Sequence, residues 1–351
     1  MTEAQAHVVE KLEYQAWSCR ALGSPLYEAL LGAAAADAAS GGPVWAVLAD
    51  KAGDPDGSAL ALRLMAAVHG LVLRGRAPEL AEFYPSAGGS RSPEGAAPAF
   101  LAAVAEHADE LGADSHRPLQ TNEVGRSAAL VAGFLAVADR FGLPLDVLEL
   151  GASAGFNLRW DHYLYEARGE TWGDPASPVR LCGYNSEAAP PFHVSAEVLR
   201  RRGCDPSPID PLTEEGRISL VSFVWPDQPA RLRLLRGALE VAGRVPVEVD
   251  KGPASSWLDG ALATPSPGTA RVVFHSIVWQ YMDARERAAV TAAIEAAGGR
   301  AARETPLAWL RMEPSEDQKI VEVRLRTWPG DDDRLIATSG YHGTAVRWLG
   351  A

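Results

Sequence analysis

Cysteine is scarce: Cys19, Cys182 and Cys204 are the only three, and they form no CxxC pair. An odd number at these spacings excludes a disulfide framework and a zinc knuckle, and suits a reducing cytoplasm. Basic character is missing as well, since 33 Lys and Arg stand against 45 Asp and Glu, a formal net charge of -12. A nonspecific grip on phosphate backbones needs clustered cations that release counterions, so no nucleic-acid partner is expected. Long apolar runs are absent too. The longest, such as 145–150 or 30–36, fall well short of the roughly 20 residues that span a bilayer. The N-terminus carries Glu3, Glu10 and Glu13 and shows no basic start followed by an apolar run and a cleavage site. The expectation is a soluble, cytoplasmic protein with no membrane partner.

Against those absences, 47% of the residues are apolar and 22% charged, a balance ordinary for a folded globular protein. A length of 351 residues exceeds one usual domain. Residues 1–142 read as a helical domain, because apolar positions recur at three- and four-residue spacing, Ala and Leu dominate, and β-branched runs are lacking. Helices are expected over 60–72, 100–111 and 124–141. The last begins after Pro118 with Thr121 or Asn122 as N-cap, and Gly142 and Pro144 end it. A Gly/Pro/Ser stretch at 84–98 reads as a loop. From Leu145 onward short apolar runs alternate with amphipathic segments, the mark of a parallel sheet covered by helices. Strands are expected at 145–150, 218–225, 245–249, 271–278 and 307–312, with a terminal antiparallel hairpin over 319–327 and 335–348. Helices are expected at 155–165, 229–242, 255–262 and 284–297. Residues 168–211, dense in Pro and Gly, break the alternation and read as an insertion. The fold class is therefore α/β, with a helical domain at 1–142 and a second domain at 143–351.

One segment carries chemistry. In Asp146-Val-Leu-Glu-Leu-Gly-Ala-Ser-Ala-Gly-Phe-Asn157 an apolar strand ends in an acid, Glu149, and passes through a small-residue turn toward a helix. Gly151 and Gly155 permit positive φ and close backbone approach, and the free N–H groups at a helix start present a partially positive surface. A nucleotide cofactor is expected there. The turn resembles the first motif of class I S-adenosylmethionine methyltransferases, an acid followed by three alternating glycines, with Ser153 in place of the middle one. This resemblance implies a Rossmann-like, seven-stranded sheet with an antiparallel last strand. It also implies S-adenosylmethionine as cofactor against Gly151, Ser153 and Gly155, with Glu149 and Asn157 in the same site. Over nearly its whole length the chain also resembles an uncharacterised bacterial family known only as a domain of unknown function. That likeness rests on Gln120-Thr-Asn-Glu-Val-Gly-Arg126, Glu149-Leu-Gly-Ala-Ser-Ala-Gly155, Trp225-Pro-Asp-Gln228 and His342-Gly343. It implies the same fold and no particular reaction.

In such sheets ligands lie beyond the carboxyl ends of the strands, so each strand end nominates residues. Asp227 is the candidate for the ribose hydroxyls if 218–225 is the second strand of the sheet, because a carboxylate accepts both hydrogen bonds. Asp205 and Asp210 are its rivals if that strand is 196–201 instead. In Asp250-Lys-Gly-Pro-Ala254, Pro253 stands where relatives often carry an acid near adenine. The fourth strand runs into Phe274-His-Ser-Ile-Val-Trp-Gln-Tyr281, which places His275 and Tyr281 around the expected methyl-transfer position. Glu313, after the fifth strand, and His342 face the same opening. A sulfonium donor is already activated, so the site needs at most a base for the acceptor's proton, and His275 is the natural one. Gln120, Asn122 and Arg126 precede the first strand and are candidates for the methionine carboxylate, which suits the planar fork of an arginine. Since no two possible ligands share a helix turn or CxxC spacing, no metal is expected.

The function implied is methyl transfer from S-adenosylmethionine to a small molecule, with the helical domain as a substrate-selecting cap. A second reading, favoured by Ser153 and Pro253, is a methyltransferase-like nucleotide- or metabolite-binding protein that transfers nothing. An NAD-linked oxidoreductase ranks third, because the acid expected about 20 residues after the glycine turn is not at a strand end.

Overall fold

The computed structural model describes residues 1–55, 58–117, 120–184 and 189–350. Pro118 and residues 185–188 of the expected insertion lie outside the described residues. The chain opens with α1 (Glu3–Ala21), α2 (Pro25–Ser40), α3 (Pro43–Leu48), α4 (Leu60–Leu73), α5 (Pro78–Ala81), α6 (Ala96–Glu106) and α7 (Ala108–Asp114). Next, α8 (Ser127–Phe141) leads into β1 (Leu145–Leu150). There follow a small sheet of β2 (Leu164–Ala167), β3 (Glu170–Gly173) and β4 (Arg180–Leu181), and then β5 (Val198–Asp205). After α9 (Glu214–Ser222) and α10 (Pro229–Ala242) come β6 (Glu248–Lys251), α11 (Ala254–Leu262), β7 (Ala270–Ser276) and α12 (Ala284–Gly298). Strands β8 (Leu307–Pro314), β9 (Val321–Trp328), β10 (Asp332–Ser339) and β11 (Arg347–Trp348) close the chain.

Two compact units result, one of residues 1–121 and 213–233, the other of 122–212 and 234 onward. The division falls at 121/122 rather than at 142, so α8 groups with the sheet, and the segment carrying α9 joins the helices. Helix ends in the first unit follow their local chemistry. Thr2 and Gln5 form a capping box on α1, while Ser24 caps α2 ahead of Pro25, and Gly41 ends that helix in the left-handed region. Almost every residue of α4 is buried, as a helix apolar on all sides must be. Trp225 is buried in the same core, its ring 6.1 Å from that of Tyr27. The strand expected at 218–225 is therefore a helix and its exit. Thr213 accepts the N–H of Gly216, Glu214 and Glu215 complement the helix N-terminus, and Leu220 and Val224 fall on one buried face.

The second unit holds a mostly parallel sheet of eight strands, in the order β11-β10-β9-β8-β7-β1-β5-β6, where seven were expected. From β6 to β8 the neighbours are parallel, and β9, β10 and β11 add antiparallel pairs at the far edge. β1 is buried along its whole length, as a central parallel strand covered on both faces should be. Helices α11 and α12 pack on the face of Leu148, Leu150, Val273 and Trp309. On the other face Phe134 of α8 meets Phe274 edge-on at 5.0 Å and stacks on Trp160 at 4.5 Å. Such aromatic pairs add about 0.5–1.5 kcal/mol each beyond their buried area.

Two further expectations change. Residues 168–211 are not only an insertion, because they supply β5, the direct neighbour of β1. Its apolar signal is masked by Arg200, Arg201 and Arg202, which pair with Asp146, Asp161 and Asp250 at 3.2, 2.7 and 2.9 Å. The helix expected at 155–165 is a short 3-10 segment, Asn157–His162, from which the chain passes directly into β2. Among the described residues no helix is long and apolar enough to cross a membrane.

Candidate functional site

β1 ends in a turn with three residues at positive φ: Gly151 at 70°, Ser153 at 51° and Gly155 at 67°. Two of these need glycine for space as well as for φ. A β-carbon at Gly151 would run into Val278, and one at Gly155 would sit 2.8 Å from a methyl group of Val247. Asn122 braces the turn from both sides, donating to the carbonyl of Ala152 and accepting the N–H of Phe156, each at 3.1 Å. The N–H groups of Gly151 and Ala152 go to the carbonyl of Cys204, and that of Gly155 to Ala152. Asp205, at the end of the neighbouring strand, accepts the N–H of Ser153 at 3.0 Å through one oxygen and that of Ser207 at 2.8 Å through the other. Most of the turn's donors are thus used within the chain, and no long helix follows to lend its N-terminus.

Unmet polar atoms remain at this turn. Glu149 is 1% exposed and its Oε2 has no hydrogen-bond partner among the described residues; the hydroxyl of Ser153 is also buried without one among them. Burial pushes the Glu149 carboxyl well above the usual carboxylate range; a hydrogen bond from Asn157 opposes the shift, Asp205 adds to it, and Arg126 and Arg159 draw it back. Asn157, also buried, accepts from the hydroxyl of Ser127 at 2.7 Å. Arg159, which sequence reading passed over, donates to the carbonyls of Ala154 and Gly155 at 3.0 and 2.8 Å. Arg126 is likewise committed to carbonyls, that of Ser276 at 2.9 Å and that of Tyr341 at 3.2 Å. Glu123, rather than Thr121 or Asn122, caps the short turn at Val124–Arg126, and Gln120 is half-buried ahead of it.

Asp227 is elsewhere. Following α9 rather than a strand, it belongs to the helical unit, where its two oxygens accept the hydroxyl of Ser24 at 2.6 Å and the N–H of Leu26 at 3.0 Å. It therefore caps α2, and the strand-end position beside β1 falls to Asp205. Asp210 is exposed and accepts the N–H of Leu212. At the end of β6, Asp250 accepts from the indole of Trp257 at 2.7 Å and from Arg202, bonds that hold its carboxyl below the usual range.

Beside the turn, the ends of β7 and β8 bring two candidates together. His275 pairs in register with Leu150 on one side and Arg311 on the other. Its Nδ1 lies 2.6 Å from Glu313 Oε1, which also accepts the N–H groups of Val278 and Trp279 at 3.1 and 3.3 Å. With two backbone donors already on that oxygen, Oε1 is the acceptor and Nδ1 donates to it; in the neutral imidazole Nε2 then presents its lone pair. His275 is 1% exposed, its ring lies parallel to that of Trp279 at 4.9 Å, and its Nε2 has no partner among the described residues. Next to it is a cavity of about 210 Å³ lined by His275, Trp279, Trp309, Arg311, Glu313, Pro314, Glu322 and Arg324. Tyr281, 48% exposed, and His342 are not among its lining. Trp309 and Arg311 were not anticipated, although Trp309, Arg311 and Glu313 alternate along β8 and so share one face of the sheet.

A family model described as an uncharacterized protein conserved in bacteria (DUF2332) matches residues 9–348. No curated protein and no solved structure matches the chain.

Proposed function

The chain belongs to the bacterial family DUF2332, whose matched span of residues 9–348 includes both the glycine turn and the His275–Glu313 pair, and from the geometry of that pair we propose that it is a methyltransferase. It takes S-adenosylmethionine as donor and a small molecule as acceptor. The observation that carries this reading is a histidine with one nitrogen held by a carboxylate and the other unpartnered beside a cavity, next to the strand that ends in the turn. A base and its orienting group arranged this way are what proton removal from an acceptor requires.

The residues at the turn fit such a donor through side chains. The Oε2 of Glu149 and the hydroxyl of Ser153 are the buried polar atoms at the turn that would hold the amino-acid part of such a donor, and Asp205 stands at the neighbouring strand end, where ribose hydroxyls would lie. When bound, the donor supplies a methyl group already activated by its sulfonium centre. His275 then takes the acceptor's O–H or N–H proton at Nε2, and Glu313 steadies the imidazolium that forms. Isothermal calorimetry with S-adenosylmethionine, S-adenosylhomocysteine and NAD tests the donor site. Saturable heat with the two sulfur nucleosides and none with NAD is expected, and silence from all three would sink the reading.

A second reading, binding without transfer, is favoured by how completely the turn is filled. Val278 and Val247 occupy the space beside its glycines, and most of its amides are bonded internally. Calorimetric binding of S-adenosylhomocysteine, with no label moving from methyl-labelled donor to any small acceptor, selects this reading.

A further inference from the structure

Four polar side-chain atoms on residues that line one cavity are buried in its wall and have no hydrogen-bond partner among the described residues: His275 Nε2, Trp309 Nε1, Arg311 Nε and Glu313 Oε2. Buried polar atoms are nearly always satisfied in a native fold, so four beside a single cavity ask for an explanation. Two are donors, the indole N–H of Trp309 and the Nε–H of Arg311; two are acceptors, the carboxylate oxygen of Glu313 and the imidazole lone pair of His275. His275 and Trp309 are 1% and 3% exposed, so the neighbouring protein, not solvent, holds them in place.

From this pattern we infer the class of ligand the cavity takes, resting on the methyl-transfer reading for its role as acceptor: a small planar ring that presents a hydroxyl or amino hydrogen to His275 and Glu313 and an accepting oxygen to Trp309 and Arg311. The walls account for the ring. Trp279 and Trp309, meeting at 55° with centroids 5.9 Å apart, supply aromatic wall to the cavity, with one face of Trp279 stacked on His275 and one of Trp309 covered by the Arg311 guanidinium at 4.5 Å. Size agrees: the space beside His275, about 210 Å³ and open to solvent on one side, has room for one substituted ring. Charge narrows the accepting group to one oxygen function. Arg311 is paired with Asp333 at 2.6 Å, and Arg324 lies 3.4 Å from Asp333 and 3.6 Å from Glu322. With both guanidinium groups already matched, a carbonyl or single carboxylate is accommodated and a phosphate is not. The hydrogen handed to His275 Nε2 sits on the atom that is to be methylated.

Calorimetry in the absence of any methyl donor tests this, using 4-hydroxybenzoate, benzoate, which lacks the donor, and 4-hydroxycyclohexanecarboxylate, which lacks the flat ring. Saturable binding of 4-hydroxybenzoate is expected, with each of the other two weaker by about tenfold or more. Arg311→Lys keeps a cation for Asp333 but removes Nε–H, and should weaken 4-hydroxybenzoate about tenfold. Trp279→Ala should abolish its binding while Trp279→Phe, which keeps a ring, retains it; melting temperatures of the variants guard against a folding defect. Equal affinity for all three compounds, no binding of 4-hydroxybenzoate, or indifference to Arg311→Lys overturns the assignment. Ring binding without label transfer from methyl-labelled donor leaves the assignment standing and removes the methyltransferase reading. Transfer to some other acceptor without ring binding does the reverse.

Discussion

His275 and Glu313 meet diagonally across paired strands: His275 stands opposite Arg311, and Glu313, two residues further along β8, reaches back to within 2.6 Å of its Nδ1. Diagonal neighbours on one face of a sheet are within reach of long side chains. The same glutamate oxygen collects the N–H groups of Val278 and Trp279, so a single carboxylate fixes both the imidazole and the loop that covers it.

Glu313→Gln removes the charge that steadies the imidazolium while keeping an oxygen for the backbone donors. Methyl transfer should fall on the order of 10²-fold or more, the scale of a lost base, with S-adenosylhomocysteine binding unchanged. Single-turnover rates and calorimetry on the same sample separate the two effects. Equal losses in both would reduce Glu313 to a loop anchor.

The two aspartates at issue should behave oppositely. Asp227→Ala removes the acceptor for Ser24 and Leu26 at the start of α2 and should cost about 0.5–2 kcal/mol, as lost helix caps do, with nucleoside binding intact. Asp205→Asn should weaken S-adenosylhomocysteine binding, since the amide can no longer accept at both positions. Chemical denaturation and calorimetry on the pair decide it, and nucleoside binding lost with Asp227→Ala would contradict the assignment.

Gly151→Ala meets two penalties, a left-handed backbone and a collision with Val278. Together these should destabilise by about 2–5 kcal/mol, seen as a lower urea midpoint. Adding Val278→Ala should recover the steric part and leave the backbone part, so the double variant falls between the wild type and Gly151→Ala.

Glu149 gives a pH signature. Its folded-state pKa is raised above the ordinary 4.5 by burial, so the folded protein binds a proton there that the unfolded chain has already released. That contribution is fully present below pH 4.5 and is lost as pH rises through the folded-state pKa. Glu149→Gln, which cannot ionise, should raise the melting temperature relative to wild type at high pH and converge with it in acid. A constant offset across the titration would mean that packing, not ionisation, sets the difference.

What sequence reading captured and missed divides along physical lines. β1, β7 and β8 were legible because a central parallel strand is a short unbroken apolar run, and their ends nominated His275 and Glu313, which lie 2.6 Å apart, along with Tyr281 and His342, which do not line the same cavity. β5 was legible only as the alternative strand 196–201, because its three arginines, neutralised by acids remote in the chain such as Asp146 and Asp161, obscured its apolar signal. The same remoteness hid the partners of Asp227, which lie about two hundred residues earlier. Helix α9 was mistaken for a strand because its apolar residues were weighed without the Thr213 cap and the acidic first turn that mark a helix start. Trp309 and Arg311 needed only the period of two along β8 to be placed beside Glu313.

The helical unit is assembled from two stretches of chain, 1–121 and 213–233, and Trp225 from the later stretch is buried in its core. During synthesis, then, the first 121 residues leave the ribosome with the place of that indole unfilled. The central strands β1 and β5 must also be translated before it is supplied. At about 5–20 residues per second the wait is about 5–20 s, during which apolar helices stand exposed. Folding of the N-terminal unit is thereby tied to the completion of a segment that sequence order places inside the other one, and expression of residues 1–121 alone should yield an aggregation-prone product that addition of 213–233 improves.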